Sequence, residues 1–428
     1  MKLISILLLA LLSIFTHADS VKETLISSLP GYGPINGKQS IGYLPTNTNN
    51  SGLFFWYVQQ ENPQTNAPII LWFNGGPGAA STYGFFMENG PYAINSKGKL
   101  LLRKDSWNRV GDYMIIDQPA GVGYSYGEDS YQNEAQAMDQ LAYAVTVYFQ
   151  KHPEHAQKPL YLAGESYAGK YIPQLAVRLL KDKKPFMPKL TGLFIGDPWV
   201  NPRLQQKANI DYAYYHGLID QHAQEVVRKL YDNCVKEIDK HTPSSRLANQ
   251  TCVKIQEFIQ KESGLLNLAN VQKGLEPSDS AMVNYLNRED VRKTLNINPT
   301  VSRYNTFNDS VANALEIGEQ DSVAYLYPQI LAAGVRVLIF NGIEDGKDSN
   351  FLSTDLWLSA LDWPGKATFT EAKTCVWGNQ DQVFGYVKSA AGLTQVKVRG
   401  AGHLAPIDQP QSILDLLQNF LHNSISCS

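Results

Sequence analysis

Residues 160–180 read LYLAGESYAGKYIPQLAVRLL. The apolar or small residues Leu160 to Ala163 lead into Gly164-Glu165-Ser166-Tyr167-Ala168-Gly169. Apolar positions then follow at helical spacing: Tyr171, Ile172, Leu175, Ala176 and Leu179. A strand that turns through a few small residues into an amphipathic helix leaves few architectures open. The same alternation recurs along the chain. APIILWFNGG contains a strand over Ile69–Phe73, DYMIIDQP another over Tyr113–Asp117, and LTGLFIGD a third. Helices are expected over Asn133–Lys151 and Tyr171–Leu180, and Ile41–Leu44 pairs with Leu53–Val58 around a polar turn. Strands alternating with helices predict an α/β fold, a mostly parallel central sheet with helices on both faces.

The pattern breaks near Pro202. From there to Asn308 the chain is helical, polar and irregular, which reads as a helical cap inserted into the core. Alternation then returns with a helix over Asp321–Ala333, a strand in VRVLIFNG, a strand and loop in TQVKVRGAGH, and a helix over Ser412–Leu421. Four segments result: 1–18, a core part over 19–201, the cap over 202–308, and a second core part over 309–428. The first carries Lys2, an apolar run from Leu3 to Phe15, and the small-residue end Thr16-His17-Ala18, the pattern of a cleaved signal peptide. That run is short for a membrane span. A secreted or lumenal protein with no membrane partner after signal removal is therefore expected. Of 428 residues, 43% are hydrophobic and the net charge is −3, which fits a sizeable core and argues against a nucleic-acid partner. A homodimeric assembly stays open. Export permits disulfides. Cys234 with Cys252 is the local pairing of the four cysteines, which leaves Cys375 with Cys427. With no C-x-x-C, neither a metal nor another cofactor is expected.

The turn itself resembles the nucleophile elbow G-x-S-x-G, with Ala168 in the last glycine's place. A serine there can also simply cap the helix, so the remaining parts of a site decide. His403 lies in a Gly-rich loop directly after a strand, in RGAGHLAPIDQP. FNGIEDGKDSN, after another strand, offers Glu344, Asp345 and Asp348. The order Ser166, acid, His403 is that of α/β-hydrolase triads. WFNGGPGAAS, Trp72 to Ser81, supplies a loop whose backbone can approach a substrate. Gly76 and Tyr167 are the expected oxyanion-hole donors.

Six ordered stretches then carry a resemblance to the serine carboxypeptidases of the α/β-hydrolase fold. They are WFNGGPGAAS, MENGP, DQPAGVGYSY, GESYAGKY, YLNREDVRKTLNI and GAGHLAPIDQP. The resemblance implies a hydrolase that removes residues from peptide or protein C-termini. It implies that Asn74, Glu88 and Glu165 bind the terminal carboxylate with Trp72 supporting them. It selects Asp345 as the triad acid by its spacing from Gly342, although counting back from Asn350-Phe351 fits it less well and leaves Asp348 open. Two departures stand out. Ala79 replaces the family's cysteine, and the stretch after Gly342 is one residue longer. Acyl transfer or ester chemistry on the same triad, and a non-catalytic binding role, are the rival readings.

Overall fold

The computed structural model describes residues 21–127, 130–275 and 277–425. The leader pattern of residues 1–18 and Cys427 lie outside the described residues. Eleven strands form one sheet: β1 (Lys22–Leu29), β2 (Gly33–Pro45), β3 (Gly52–Val58), β4 (Ile69–Phe73), β7 (Asp112–Ile116), β8 (Pro159–Glu165), β9 (Lys189–Gly196), β10 (Arg336–Gly342), β11 (Cys375–Gly378), β12 (Val383–Ala390) and β13 (Leu393–Val398). A small hairpin, β5 (Tyr92–Ile94) and β6 (Leu100–Leu102), stands apart. The sheet order is β1-β2-β3-β7-β4-β8-β9-β10-β13-β12-β11. The six strands from β7 to β13 run parallel, and both flanks are antiparallel. The central strands read IILWF, DYMII and RVLIFNG because both of their faces are covered, so apolar residues run without alternation. The expected pair around the polar turn is β2 with β3, with Ile41 opposite Trp56.

The helix α1 (Glu134–Lys151) starts where Asn133 accepts a hydrogen bond from the Gln136 backbone N–H, which satisfies one of the orphan donors of the first turn. The helix α2 (Ala168–Lys181) begins three residues before its apolar stripe does, directly behind Tyr167. The helix expected over 321–333 is broken. A 3₁₀ turn, Ala324–Leu326, leads into a short helix, Tyr327–Ala332, with Pro328 in its first turn. Proline suits a helix start but removes a donor from a helix interior.

Between β9 and β10 lie the helices α3 (Pro202–Tyr215), α4 (Gln221–Ile238) and α5 (Arg246–Ser263). They enclose an apolar cluster of their own that includes Ile210, Val227, Ile255 and Ile259. Cys234 and Cys252 are bonded across α4 and α5, as the local pairing anticipates, over a separation of 18 residues. A loop of that length contributes about 3 kcal/mol in the chain-entropy account. The helix α6 (Phe351–Ala360) follows β10, and α7 (Pro410–Leu421) is the last helix of the described chain.

Candidate active site

The central parallel strands deliver their carboxyl ends to one edge of the sheet, and the sequence-predicted residues gather there. Glu165 ends β8, and Ser166 follows with φ of 59°, a left-handed conformation uncommon for any residue but glycine. The fold holds it in place. Ser166 N–H donates to the Gly196 carbonyl at 3.0 Å, and the Ser166 carbonyl accepts from Gly169 N–H and Trp199 N–H, both at 2.9 Å. Small neighbours are a steric necessity. A Cβ on Gly75 would sit 2.4 Å from the Tyr167 nitrogen, and one on Gly169 would sit 2.6 Å from the Pro198 Cβ. The turn thus strains the serine backbone.

Asp345 and His403 follow β10 and β13, which are hydrogen-bonded neighbours. That adjacency brings their side chains together: His403 Nδ1 lies 2.9 Å from Asp345 Oδ2, with both groups buried. The other carboxylate oxygen of Asp345 accepts from the Lys347 backbone N–H at 2.7 Å, which fixes the orientation of the acid. Asp348 accepts instead from the Ser349 hydroxyl, and no hydrogen bond or ion pair joins it to His403 among the described residues. Ser166 and His403 line one cavity of about 380 Å³, together with Asn74, Gly75, Gly76 and Glu165. The backbone N–H groups of Gly76 and Tyr167 have no acceptor among the described residues.

Asn74 organises two carboxyls beside the serine. Its Oδ1 accepts from Trp72 Nε1 at 2.9 Å and from Gly84 N–H at 3.1 Å, so its Nδ2 must face the other way. There it donates to Glu88 Oε1 at 2.7 Å and Glu165 Oε1 at 3.1 Å. Burial pushes the Glu88 carboxyl up to about 7, against the pull of the hydrogen bonds from Asn74 and Glu165. Burial also raises Glu165 well above the carboxylate range, and the charge of Glu88 adds to it. Two carboxyls so placed cannot both ionise cheaply, so they share a proton.

The structure adds residues that the sequence reading passed over. Asp197, at the carboxyl end of β9, is fully buried, and its Oδ1 accepts from Gly342 N–H at 3.0 Å and Asn341 Nδ2 at 3.3 Å. Burial, then the charges of Asp345 and Glu165, raise its carboxyl well above the usual range. The signal was a polar residue directly after a sheet strand in IGDP, the same position that marks Asn74 and Ser166. Lys347, in the longer loop after Gly342, lines the cavity, and its charge favours the ionised form of Glu165. Tyr83 and Phe307 supply apolar wall.

The family model for serine carboxypeptidases matches residues 30–423. The chain is 31% identical to a probable serine carboxypeptidase, CPVL, of Mus musculus over 427 residues, 95% of this chain and 86% of that protein. It is 32% identical to a venom serine carboxypeptidase of Apis mellifera, covering 93% and 85% of the two chains. Among solved structures, a prohormone-processing carboxypeptidase of Saccharomyces cerevisiae superposes with a TM-score of 0.81 at 24% identity, over 91% of this chain and 92% of that one, a match of fold. The chain belongs to the serine carboxypeptidase family, enzymes of the α/β-hydrolase fold.

Proposed function

We propose that this enzyme is a secreted or lumenal carboxypeptidase that releases C-terminal amino acids through an acyl-enzyme and works best in acid, with residues 202–308 capping its active site. In this mechanism Ser166 Oγ attacks the last peptide carbonyl. His403 accepts the hydroxyl proton on the ring nitrogen that Asp345 does not hold. The oxyanion is met by the N–H groups of Gly76 and Tyr167. As the C–N bond breaks, His403 returns the proton to the departing amine. Water, activated by the same histidine, then releases the acyl group and regenerates Ser166.

The observation that carries the reading is the Asn74–Glu88–Glu165 cluster next to the nucleophile. A lipase or esterase has no use for two proton-sharing carboxyls there. A peptide's free carboxylate does, because a protonated carboxyl and the Asn74 amide can both donate to it. The sign of the pH effect follows. Below the Glu88 value of about 7 the shared proton is present and the terminal carboxylate is held. As pH rises through that value the proton leaves, three negative groups face one another, and binding weakens. KM for free-acid peptides is expected to climb by up to about tenfold per pH unit above that value, the slope for one linked proton. C-terminally amidated peptides should not show this climb, and Glu88→Gln with Glu165→Gln should flatten it. Steady-state KM profiles on matched acid and amide substrates test this. Equal profiles would remove the carboxylate-binding role and favour ester or acyl-transfer chemistry.

A further inference from the structure

At the opposite edge of the sheet lies a cluster unconnected with the triad. The α1 helix ends at Lys151, and the chain continues His152-Pro153-Glu154-His155 through a 3₁₀ turn, Pro153–His155, before β8 opens at Pro159. Ser166 follows the far end of that seven-residue strand, on the order of 20 Å away. One ligand-type atom from each of His152, Glu154 and His155 lies within 4.8 Å of the others. His152 Nδ1 is 3.0 Å from Glu154 Oε1. Its Nε2 is 2.8 Å from Glu23 Oε2, on the edge strand β1.

The cluster has a simpler description without a cation. His152 could bridge the two carboxylates as an imidazolium and so tie β1 to α1. That description leaves the His155 nitrogens unexplained, although the ring itself packs against Tyr57, Tyr148 and Phe149. His155 is 6% exposed, and its Nδ1 is buried with no partner in the protein. Its other ring nitrogen makes no hydrogen bond among the described residues either. A buried polar group left unsatisfied is costly, and this one belongs to a trio of nitrogen and carboxylate donors.

We propose that His152, Glu154 and His155 bind a divalent cation of the zinc class, with Glu23 as the carboxylate behind His152. Two imidazoles and a carboxylate suit zinc better than calcium or magnesium, which take oxygen ligands. Zinc–ligand bonds of about 2.0–2.2 Å draw ligand atoms to roughly 3.4 Å from one another, so the trio needs to contract only modestly. With the ion bound, Glu23 would accept the Nε2–H of His152 and Nδ1, 3.0 Å from Glu154, would give its lone pair to the cation, the carboxylate–histidine arrangement that orients metal ligands. Of the neighbouring ammonium groups, Lys151 Nζ donates to the Val21 carbonyl and stands 4.0 Å from Glu23 Oε2, behind the carboxylate, and Lys158 Nζ donates to Asp112. Glu154 is 56% exposed, so a cation can enter from solvent, and a fourth position stays open to water. The bound ion would clamp the edge strand to the end of α1, far from the peptide.

Cobalt(II) titration of the tag-free protein, followed by the visible absorption of the bound ion, and zinc(II) calorimetry test this. Binding of one ion per chain is expected, with a thermal midpoint that rises on zinc addition and peptidase kinetics that do not change. His155→Ala and Glu154→Gln should each weaken binding at least about tenfold, and Glu23→Gln about 10- to 100-fold although no ligand is removed. Glu154 is exposed enough that its variant will fold, so misfolding of the His155 variant leaves the test intact. No stoichiometric binding, or binding that survives Glu154→Gln unchanged, would overturn the site in favour of the imidazolium bridge.

Discussion

Ser166→Ala is expected to lower kcat on peptides by about a million-fold, the loss seen when a triad nucleophile is removed, while weak turnover persists from the oxyanion hole and substrate binding. The folded state should survive. The serine's structural hydrogen bonds run through its backbone N–H and carbonyl, to Gly196, Gly169 and Trp199, and alanine keeps them all. Alanine accepts the positive φ no worse than serine does, since both carry one Cβ. Thermal midpoints should therefore agree while activity vanishes. A serine-directed fluorophosphonate should label the parent protein and not the variant. Labelling that persists would place the nucleophile elsewhere.

The second large effect concerns the acid. Asp345→Asn is expected to cost about ten-thousand-fold in kcat, and Asp348→Asn less than about tenfold. The reason is the tautomer. Asp345 Oδ2 accepts a proton-bearing Nδ1 of His403, which leaves the other ring nitrogen free to take the serine's proton. Asparagine can present an N–H there instead and turn the imidazole into the wrong form. Asp348, occupied with Ser349, has no such hold on His403. Steady-state kinetics of both variants decide the matter, and the reverse ranking would reassign the triad.

The sequence made the sheet and the elbow legible because both are written in uninterrupted local patterns. Strands covered on both faces show as apolar runs, and the elbow needs small residues on either side of Ser166. The start of α2 was not legible, because Ala168, Gly169 and Lys170 carry no apolar stripe although they are helical and buried. The α6 helix went unseen for a related reason. Its apolar residues, FLSTDLWLSA, lie all round the helix, so no face stands out. Counting residues could not separate Asp345 from Asp348, because a loop one residue longer can bulge at either side of the acid. The adjacency of β10 and β13 brings the loop to His403, and the loop's own turn, with Lys347 N–H on Asp345 and Ser349 on Asp348, decides which carboxylate meets the histidine. Asp197 was hidden by the opposite circumstance. A single acid after a strand carries no motif, and its setting appears only when β9, β10 and the elbow are assembled.

The proton shared by Glu88 and Glu165 also bears on where the protein can last. A carboxyl whose folded value is raised stabilises the fold fully below its ordinary unfolded value of 4.5, and that contribution is lost as pH rises through about 7. Asp197, raised by the same burial, pulls in the same direction. The thermal midpoint should thus fall between pH 5 and pH 8, and less so in the Glu88→Gln, Glu165→Gln protein. A flat midpoint across that range would show that the carboxyls titrate alike in the folded and unfolded chains. Under the proposed carboxylate-binding role, the same feature would act as a confinement device. The enzyme is then expected to be most durable at acid pH. At neutral pH it would lose its hold on substrates and part of its folding margin together, which would limit the damage a stray peptidase can do.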